Sequence, residues 1–357
     1  MDFGLSPDQR AMQASIAGVL ERVAPLERVR AFAESGEPVA DDVWRALTDM
    51  GVSGILVDEA NGGLGLGLLD AALMAETIGA HAAPSPFLGA AVLAPLALRI
   101  GSSPGQQAAW LPKLAAGEII AGAALNEALA GGRDSGGVRA EGGRLDGETL
   151  FALDATGADI LIVADQAGGL HLAETSGLEI TPLATIDATR RFAKVRFERT
   201  SAEALAGGCL ERLRNAAYIM LAADMLGASQ TMLDKAVAYA KERQQFGRPI
   251  GAFQAVKHMC AEMAAELEPC RALVWYAAHA FDAAPAEAAV CAAHAKAHLS
   301  EVSRFIARTA TEVHGGMGFT DLLGLHFWFK RVGVDRQLLG GPEQVRDHAA
   351  RLQGLAA

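Results

Sequence analysis

The sequence predicts an α+β protein, mainly helical, in three consecutive parts: an N-terminal helical domain (1–118), a small middle β domain (119–203) and a C-terminal helical bundle (204–357). Two observations carry this. Long alanine-rich stretches occupy both ends, and alanine enters a helix without losing side-chain entropy. Between them, short apolar runs alternate with glycine, aspartate and threonine. At 357 residues the chain exceeds one compact core. Its 51% hydrophobic and 20% charged residues fit a soluble globular protein, and 6% aromatics argue against a largely β one.

The first helix is announced by Ser6-Pro7-Asp8-Gln9, which offers a capping hydroxyl, proline at the first helical position and glutamine at the third. Val43, Ala46, Leu47 and Met50 follow helical spacing and stop at Gly51, a suitable left-handed cap. Another helix is expected over Leu68 to Ala80, and Trp110-Leu111-Pro112-Lys113-Leu114 closes the region. In the middle part Ile160-Leu161-Ile162-Val163 reads as a buried strand. Ala193, Val195 and Phe197 alternate with Lys194, Arg196 and Glu198, the period of a half-buried one. Gly131 to Gly137 is a turn or loop. Beyond about residue 204, Ala222, Leu226, Met232 and Leu233 belong to a long apolar stripe ending near Phe246. Further helices are expected over about 253–281, up to Gly315-Gly316, and over about 321–332, making an antiparallel four-helix bundle.

A net charge of -11 and the lack of a basic run disfavour nucleic acid as a partner. Cys209, Cys260, Cys270 and Cys291 show neither Cys-x-x-Cys nor zinc-like histidine spacing, so no metal site is expected and they read mostly as buried thiols. No apolar run approaches the ~20 residues of a membrane span. No leader is visible, so the cytoplasm is the expected location.

Two segments carry chemistry. Glu242-Arg243-Gln244-Gln245-Phe246-Gly247-Arg248-Pro249-Ile250-Gly251-Ala252-Phe253-Gln254 sets a guanidinium at a helix end, beside an aromatic ring, with an amide across the turn. An arginine fork can give two hydrogen bonds to phosphate oxygens. A bland alternative makes Arg243 a solvated helix-end charge and Phe246 a core residue. The second segment, Glu312-Val313-His314-Gly315-Gly316-Met317-Gly318-Phe319-Thr320, has glycines that allow close backbone approach, or merely end a helix. His314 reads as a packed or capping histidine.

The first segment resembles the Glu-Arg-x-x-Phe-Gly-x-x-Ile-x-x-x-Gln signature of acyl-CoA dehydrogenases. The second resembles their Gln-x-x-Gly-Gly-x-Gly-Phe, with Glu312 in place of the usual glutamine. Together with the helix–β–helix order the resemblance covers nearly the whole chain. It implies a small β-barrel as the middle domain and FAD lying across two subunits. One chain holds the flavin ring; Arg243, Phe246, Gln254, Glu312, Gly315, Gly316 and Gln344 would hold the pyrophosphate and adenosine of its neighbour's cofactor. The family's reaction removes the α proton of an acyl-CoA with a glutamate while flavin N5 takes hydride from the β carbon. An electron-transfer flavoprotein then reoxidises the flavin.

Against that pattern the catalytic positions are blank. Gly340, in Leu339-Gly340-Gly341-Pro342-Glu343-Gln344-Val345, stands where the family reads Tyr-Glu-Gly-Thr-x-Gln-Ile, and Ala217 occupies the other known glutamate position. Neither has a titratable side chain. Glu343 and Glu211 are the nearest carboxylates. Glu343 is a weak candidate needing a rebuilt loop; Glu211 lies six residues from position 217, nearly 120° off that helix face at about 100° per residue. The flavin-facing Thr-Glu-Pro-x-x-Gly-Ser-Asp becomes the stretch 125–134, in which Glu127 and Asp134 keep their type. Trp-Ile-Thr-Asn becomes Phe151-Ala152-Leu153-Asp154, so a leucine replaces the hydroxyl expected near N5. Tyr218 stands where many relatives have an arginine near the substrate. The resemblance therefore implies the subunit that lacks the base in a hetero-oligomeric (α2β2) dehydrogenase, with a glutamate-bearing homologue as partner and an acyl-CoA, for instance a steroid side-chain CoA, as substrate. A self-sufficient homotetramer with a displaced base, and a non-catalytic binding protein on this scaffold, are the alternatives.

Overall fold

The structure is a computed structural model that describes residues 4–131, 136–205 and 210–356. Asp134 and the body of the loop around it, Cys209 and residues 1–3 lie outside the described residues. Six helices form the N-terminal region: α1 (Pro7–Val23), α2 (Leu26–Glu34), α3 (Asp41–Asp49), α4 (Leu68–Ala80), α5 (Ala94–Gly101) and α6 (Pro104–Ala115). A π-helical turn, Leu88–Leu93, leads into α5. Ser6 accepts from the Gln9 backbone while the Gln9 side chain accepts from Ser6 N, the capping box the sequence predicts. Gly51 ends the α3 region at φ +80°, also as expected.

The central part is an eight-stranded sheet. Its strands are β1 (Ala121–Ala124), β2 (Gly137–Glu141), β3 (Arg144–Leu153), β4 (Ile160–Ala164), β5 (Leu170–Glu174), β6 (Glu179–Leu183), β7 (Phe192–Ser201) and β8 (Glu203–Ala204). A short helix α7 (Asn126–Ala130) follows β1. The pairing order is β6-β7-β3-β1-β4-β5-β8, with β2 hydrogen-bonded to β3. β1 and β4 run parallel. Ala193, Val195 and Phe197 of β7 are buried while Arg196 and Glu198 are exposed, the predicted alternation.

The C-terminal region contains α8 (Leu210–Glu242), a miniature hairpin of β9 (Gln244–Gln245) and β10 (Arg248–Pro249), then α9 (Gln254–Ala283), α10 (Pro285–His314), α11 (Leu325–Gln337) and α12 (Pro342–Leu352). Two expectations shift here. The apolar stripe stops at Glu242, and Phe246 lies beyond it. The fourth helix starts at Leu325 instead of about 321, because a 3₁₀ turn (Asp321–Leu323) and left-handed Gly324 at φ +62° precede it.

α4 and α8 join the N-terminal region to the bundle at van der Waals distance between backbones. A Cβ added to Gly227 would sit 1.8 Å from the Glu76 carbonyl oxygen, and one at Gly79 would sit 2.2 Å from that of Asp224. Only glycine permits this crossing. No described helix is long and apolar enough to cross a membrane.

Candidate functional site

One group of predicted residues gathers at an end of the bundle. Tyr239, in the penultimate turn of α8, stacks on His314 at the end of α10, with ring centroids 4.7 Å apart. Both motif segments therefore leave the bundle side by side. His314 is buried, with Nδ1 2.7 Å from Ala310 O, and burial holds its pKa below the usual imidazole value. It is a packed residue, as its sequence context indicates.

Past α8, Arg243 N still donates to Tyr239 O, and Ile250 N donates to Arg243 O, closing the β9–β10 hairpin. The hairpin tip is Phe246-Gly247, with φ +52° and +76°. Positive φ at both central residues is the pattern of a type I′ turn, where Asn-Gly is usual and a bulky aromatic is strained. Phe246 is 91% exposed; its ring lies edge-to-face with Phe253, with centroids 6.1 Å apart. Arg243 is exposed, and its side chain has no ion pair among the described residues. Gln254, also exposed, opens α9, with Nε2 2.9 Å from His258 Nε2.

α10 ends at Gly315, φ +56°, and the chain folds back so tightly that a Cβ on Gly318 would lie 2.6 Å from Thr311 O. Gly315 and Gly316 face the opposite situation: a Cβ on either would meet nothing within 4 Å. Glu312 is exposed beside them, and Phe319 is 83% exposed. The arrangement is a set of open glycines, a free guanidinium and projecting aromatic rings. Such a surface can receive a phosphate-bearing ligand held elsewhere.

Gln344 belongs to a second group, around the blank catalytic positions. Its Oε1 accepts from Gly341 N at 3.2 Å and its Nε2 donates to Ala130 O at 2.8 Å, tying α12 to α7. Leu339 is buried at φ +61°; its N–H donates to Asn126 Oδ1 at 3.3 Å, and its carbonyl accepts from Tyr218 Oη at 3.2 Å. Gly340 follows at φ +122°, a conformation L-residues rarely adopt. Ala217 is fully buried. Glu127 accepts from Thr149 Oγ1 at 2.5 Å and Leu150 N at 2.6 Å, which fixes α7 against β3. Glu343 is 72% exposed and lies 3.6 Å from Arg336 and 3.7 Å from Arg346; Glu211 is 59% exposed and pairs with Arg214 at 2.9 Å. Both are surface carboxylates in ion pairs.

The interior beside Leu153 is nearly filled. Leu88, Leu153, Met220 and Leu221 border a cavity of about 30 Å³, whereas small-molecule pockets occupy about 300–1,000 Å³. Around it runs a buried ionic network. Arg331 forks onto Asp224 at 2.8 and 2.6 Å. Arg190 joins Asp187 at 2.7 Å and Asp335 at 2.5 Å, so the sheet is clamped to α8 and α11. Lys296, fully buried on α10, donates to the carbonyls of Asp335 and Arg336 at 2.5 and 3.1 Å. That satisfies the end of α11, and burial pushes its pKa down to about 7. No periodicity in the sequence announces this network. Its signal was the lone charges inside apolar runs, such as Asp224 between Ala223 and Met225.

Comparison with known proteins matches this architecture. The acyl-CoA dehydrogenase N-terminal domain family matches residues 6–118, and the C-terminal domain family matches residues 204–352. The chain is 32% identical over 341 residues to acyl-CoA dehydrogenase IpdE2 of Mycobacterium tuberculosis, covering 95% of each chain. Among solved structures, a variant of the Tcur3481–Tcur3483 steroid ACAD superposes with a TM-score of 0.89 at 27% identity, over 97% of this chain and 98% of that one. The ChsE4–ChsE5 complex from Mycobacterium tuberculosis superposes with a TM-score of 0.92 over the whole of both chains at 24% identity, a likeness of fold. The chain belongs to the acyl-CoA dehydrogenase family, whose members are flavin-dependent oxidoreductases.

Proposed function

We propose that this chain is the subunit without the base in a hetero-oligomeric acyl-CoA dehydrogenase, and that it completes the FAD site of a glutamate-bearing homologue. The observation that carries this is the contrast between its two sites. The end of the bundle offers open Gly315 and Gly316, unpaired Arg243 and a 91% exposed Phe246. The cavity beside Leu153 has only about 30 Å³ of space, and Gly340 and Ala217 bring no carboxylate to the positions where the family carries its base. The first set fits the pyrophosphate and adenosine half of FAD. The second does not fit an isoalloxazine ring, and no step is assigned to it.

Bound FAD would supply the hydride acceptor for the β carbon of an acyl-CoA, and a glutamate of the partner would supply the base for the α proton. This chain's contribution is binding: Arg243 neutralises phosphate charge, the glycines admit the cofactor to the backbone, and Phe246 and Gln254 pack and hydrogen-bond its adenosine half. Glu312 is set beside this surface, where a carboxylate opposes a phosphate, so it stays out of direct phosphate contact. A steroid side-chain CoA is the favoured substrate, because a structural relative named above is a steroid ACAD. An electron-transfer flavoprotein is the expected oxidant, and the cytoplasm the expected location.

Co-expression with a glutamate-bearing homologue tests the reading. A charge-assisted pair to phosphate contributes about 1.5–3 kcal/mol, so Arg243→Ala should weaken FAD binding by the complex roughly tenfold to 150-fold. A chain that purifies alone with stoichiometric FAD and is bleached by acyl-CoA would overturn the proposal.

A further inference from the structure

The junction of the three regions contains polar groups with no protein partner. Asp154, at the end of β3, is only 6% exposed and left-handed at φ +58°. Its carboxyl group makes no hydrogen bond to any described residue, and only burial and nearby charges act on it. The Ser85 hydroxyl, on the segment before α5, is buried without a partner too. Both side chains line the same two adjoining cavities, of about 30 and about 10 Å³, together with Arg190. Ile78 and Met220 complete one wall of the larger; Phe32 and Val39 close the smaller.

We infer that these cavities hold internal water, about one or two molecules, bridging Ser85 Oγ to the Asp154 carboxyl group and so joining the N-terminal region to the sheet. The size fits, since a water needs roughly 10–15 Å³ of such space. The chemistry excludes other small occupants. An anion finds no free guanidinium edge: Arg331 is committed to Asp224, Thr189 and Ala83 O, and Arg190 to Asp187, Asp335 and Arg331 O. A cation would sit beside those two arginines. Water is neutral, and it can donate to a carboxylate while accepting from a hydroxyl.

An unpaired buried hydroxyl and carboxyl are otherwise costly. The charged groups facing Asp154 are Arg190, Arg331, Arg191 and Asp187. Burial outweighs the arginines and raises its pKa to about 7. Below that pH Asp154 carries a proton and can itself donate to the bridging water.

A crystal structure of the chain, alone or in its complex, at a resolution that orders internal water is the direct test. Density is expected within about 2.6–3.2 Å of both Ser85 Oγ and an Asp154 oxygen. A dry cavity, or an Asp154 carboxylate turned directly onto Arg190 or Arg331, overturns the inference. In solution, oxygen-17 relaxation dispersion counts long-lived internal waters. Ser85→Ala with Asp154→Leu should lower that count by about one or two, and an unchanged count in a folded variant also overturns it. The crystal arm does not depend on the variants folding.

Discussion

Phe246→Ala separates a residue that serves this chain from one that serves an assembly. With 91% of its surface exposed and one edge contact to Phe253, the ring adds little to the stability of the isolated chain. Alanine at φ +52° is strained much as phenylalanine is, so the unfolding free energy should change by no more than about 0.5 kcal/mol, the usual range for surface positions. In a complex that covers the ring, the truncation removes about 1.5–3 kcal/mol of apolar burial. At about 1.4 kcal/mol per tenfold, that is roughly a 10- to 150-fold loss in affinity for FAD or partner. Urea titration of the chain alone and flavin-fluorescence titration of the co-purified complex read the two quantities separately. The reasoning fails if the variant loses more than about 1 kcal/mol by itself while the complex binds FAD unchanged.

Gly340→Glu should not recreate a base. At φ +122° an L-residue is strained by about 1–3 kcal/mol, and acyl-CoA should leave any flavin of the variant chain unbleached; stopped-flow absorbance checks this. Gly227→Ala should destabilise by about 3 kcal/mol, because its Cβ would press on the Glu76 carbonyl at 1.8 Å. Gly18→Ala, whose Cβ meets nothing within 4 Å on α1, should instead stabilise by up to about 1 kcal/mol in the same denaturation series. Asp154 supplies a pH dependence. Its folded pKa of about 7 lies above the ordinary aspartate value of 3.8, so its stabilising contribution is complete below about pH 4 and is lost as pH rises through about 7. Asp154→Asn should therefore gain stability relative to wild type at pH 8 compared with pH 5; an equal difference at both pH values contradicts the assignment.

The helical frame was legible because its signals are local. Ser6 and Gln9 cap as a pair, Gly51 stops α3 where the period ends, and the alternation of 193, 195 and 197 fixes which face of β7 is buried. The start of α11 was not legible. The 321–323 segment has the composition of a helix N-terminus, and its departure depends on Gly324 turning left-handed against Leu26, a contact remote in sequence. Helix α12 is hidden in the sequence for a related reason: Gly340-Gly341-Pro342 resembles a lost catalytic loop, although it also caps a helix through Gln344. Of the site residues, Arg243, Phe246, Gln254, Gly315 and Gly316 stand open on the surface. Gln344 is engaged within the chain. Burial partners 100 residues apart, such as Asp224 with Arg331, leave no periodic trace, so the ionic clamp could only emerge from the fold.

The two halves of the site differ in what each must do when no cofactor is bound. The space of a flavin ring and acyl chain, if sealed and left dry, would be an internal void of about 300 Å³. At roughly 24 cal/mol per Å³ that costs about 7 kcal/mol, comparable to the whole stability of a domain. Such a space must either stay open to solvent or be filled with side chains, and here it is filled. Leu153 in place of a hydroxyl, Asn126 and Gln344 binding the loop to α7, Tyr218 held on Leu339 O, and a residual cavity of about 30 Å³ all meet that requirement. No comparable force acts on Gly315, Gly316 or Phe246, because they face solvent in the isolated chain and leave no void. Phe246 adds nothing to the core, and only glycine or asparagine would relieve the strain of its turn. On the proposed function, Phe246 makes its contact outside this chain, so a closed inner site and an open outer one belong to the same division of labour.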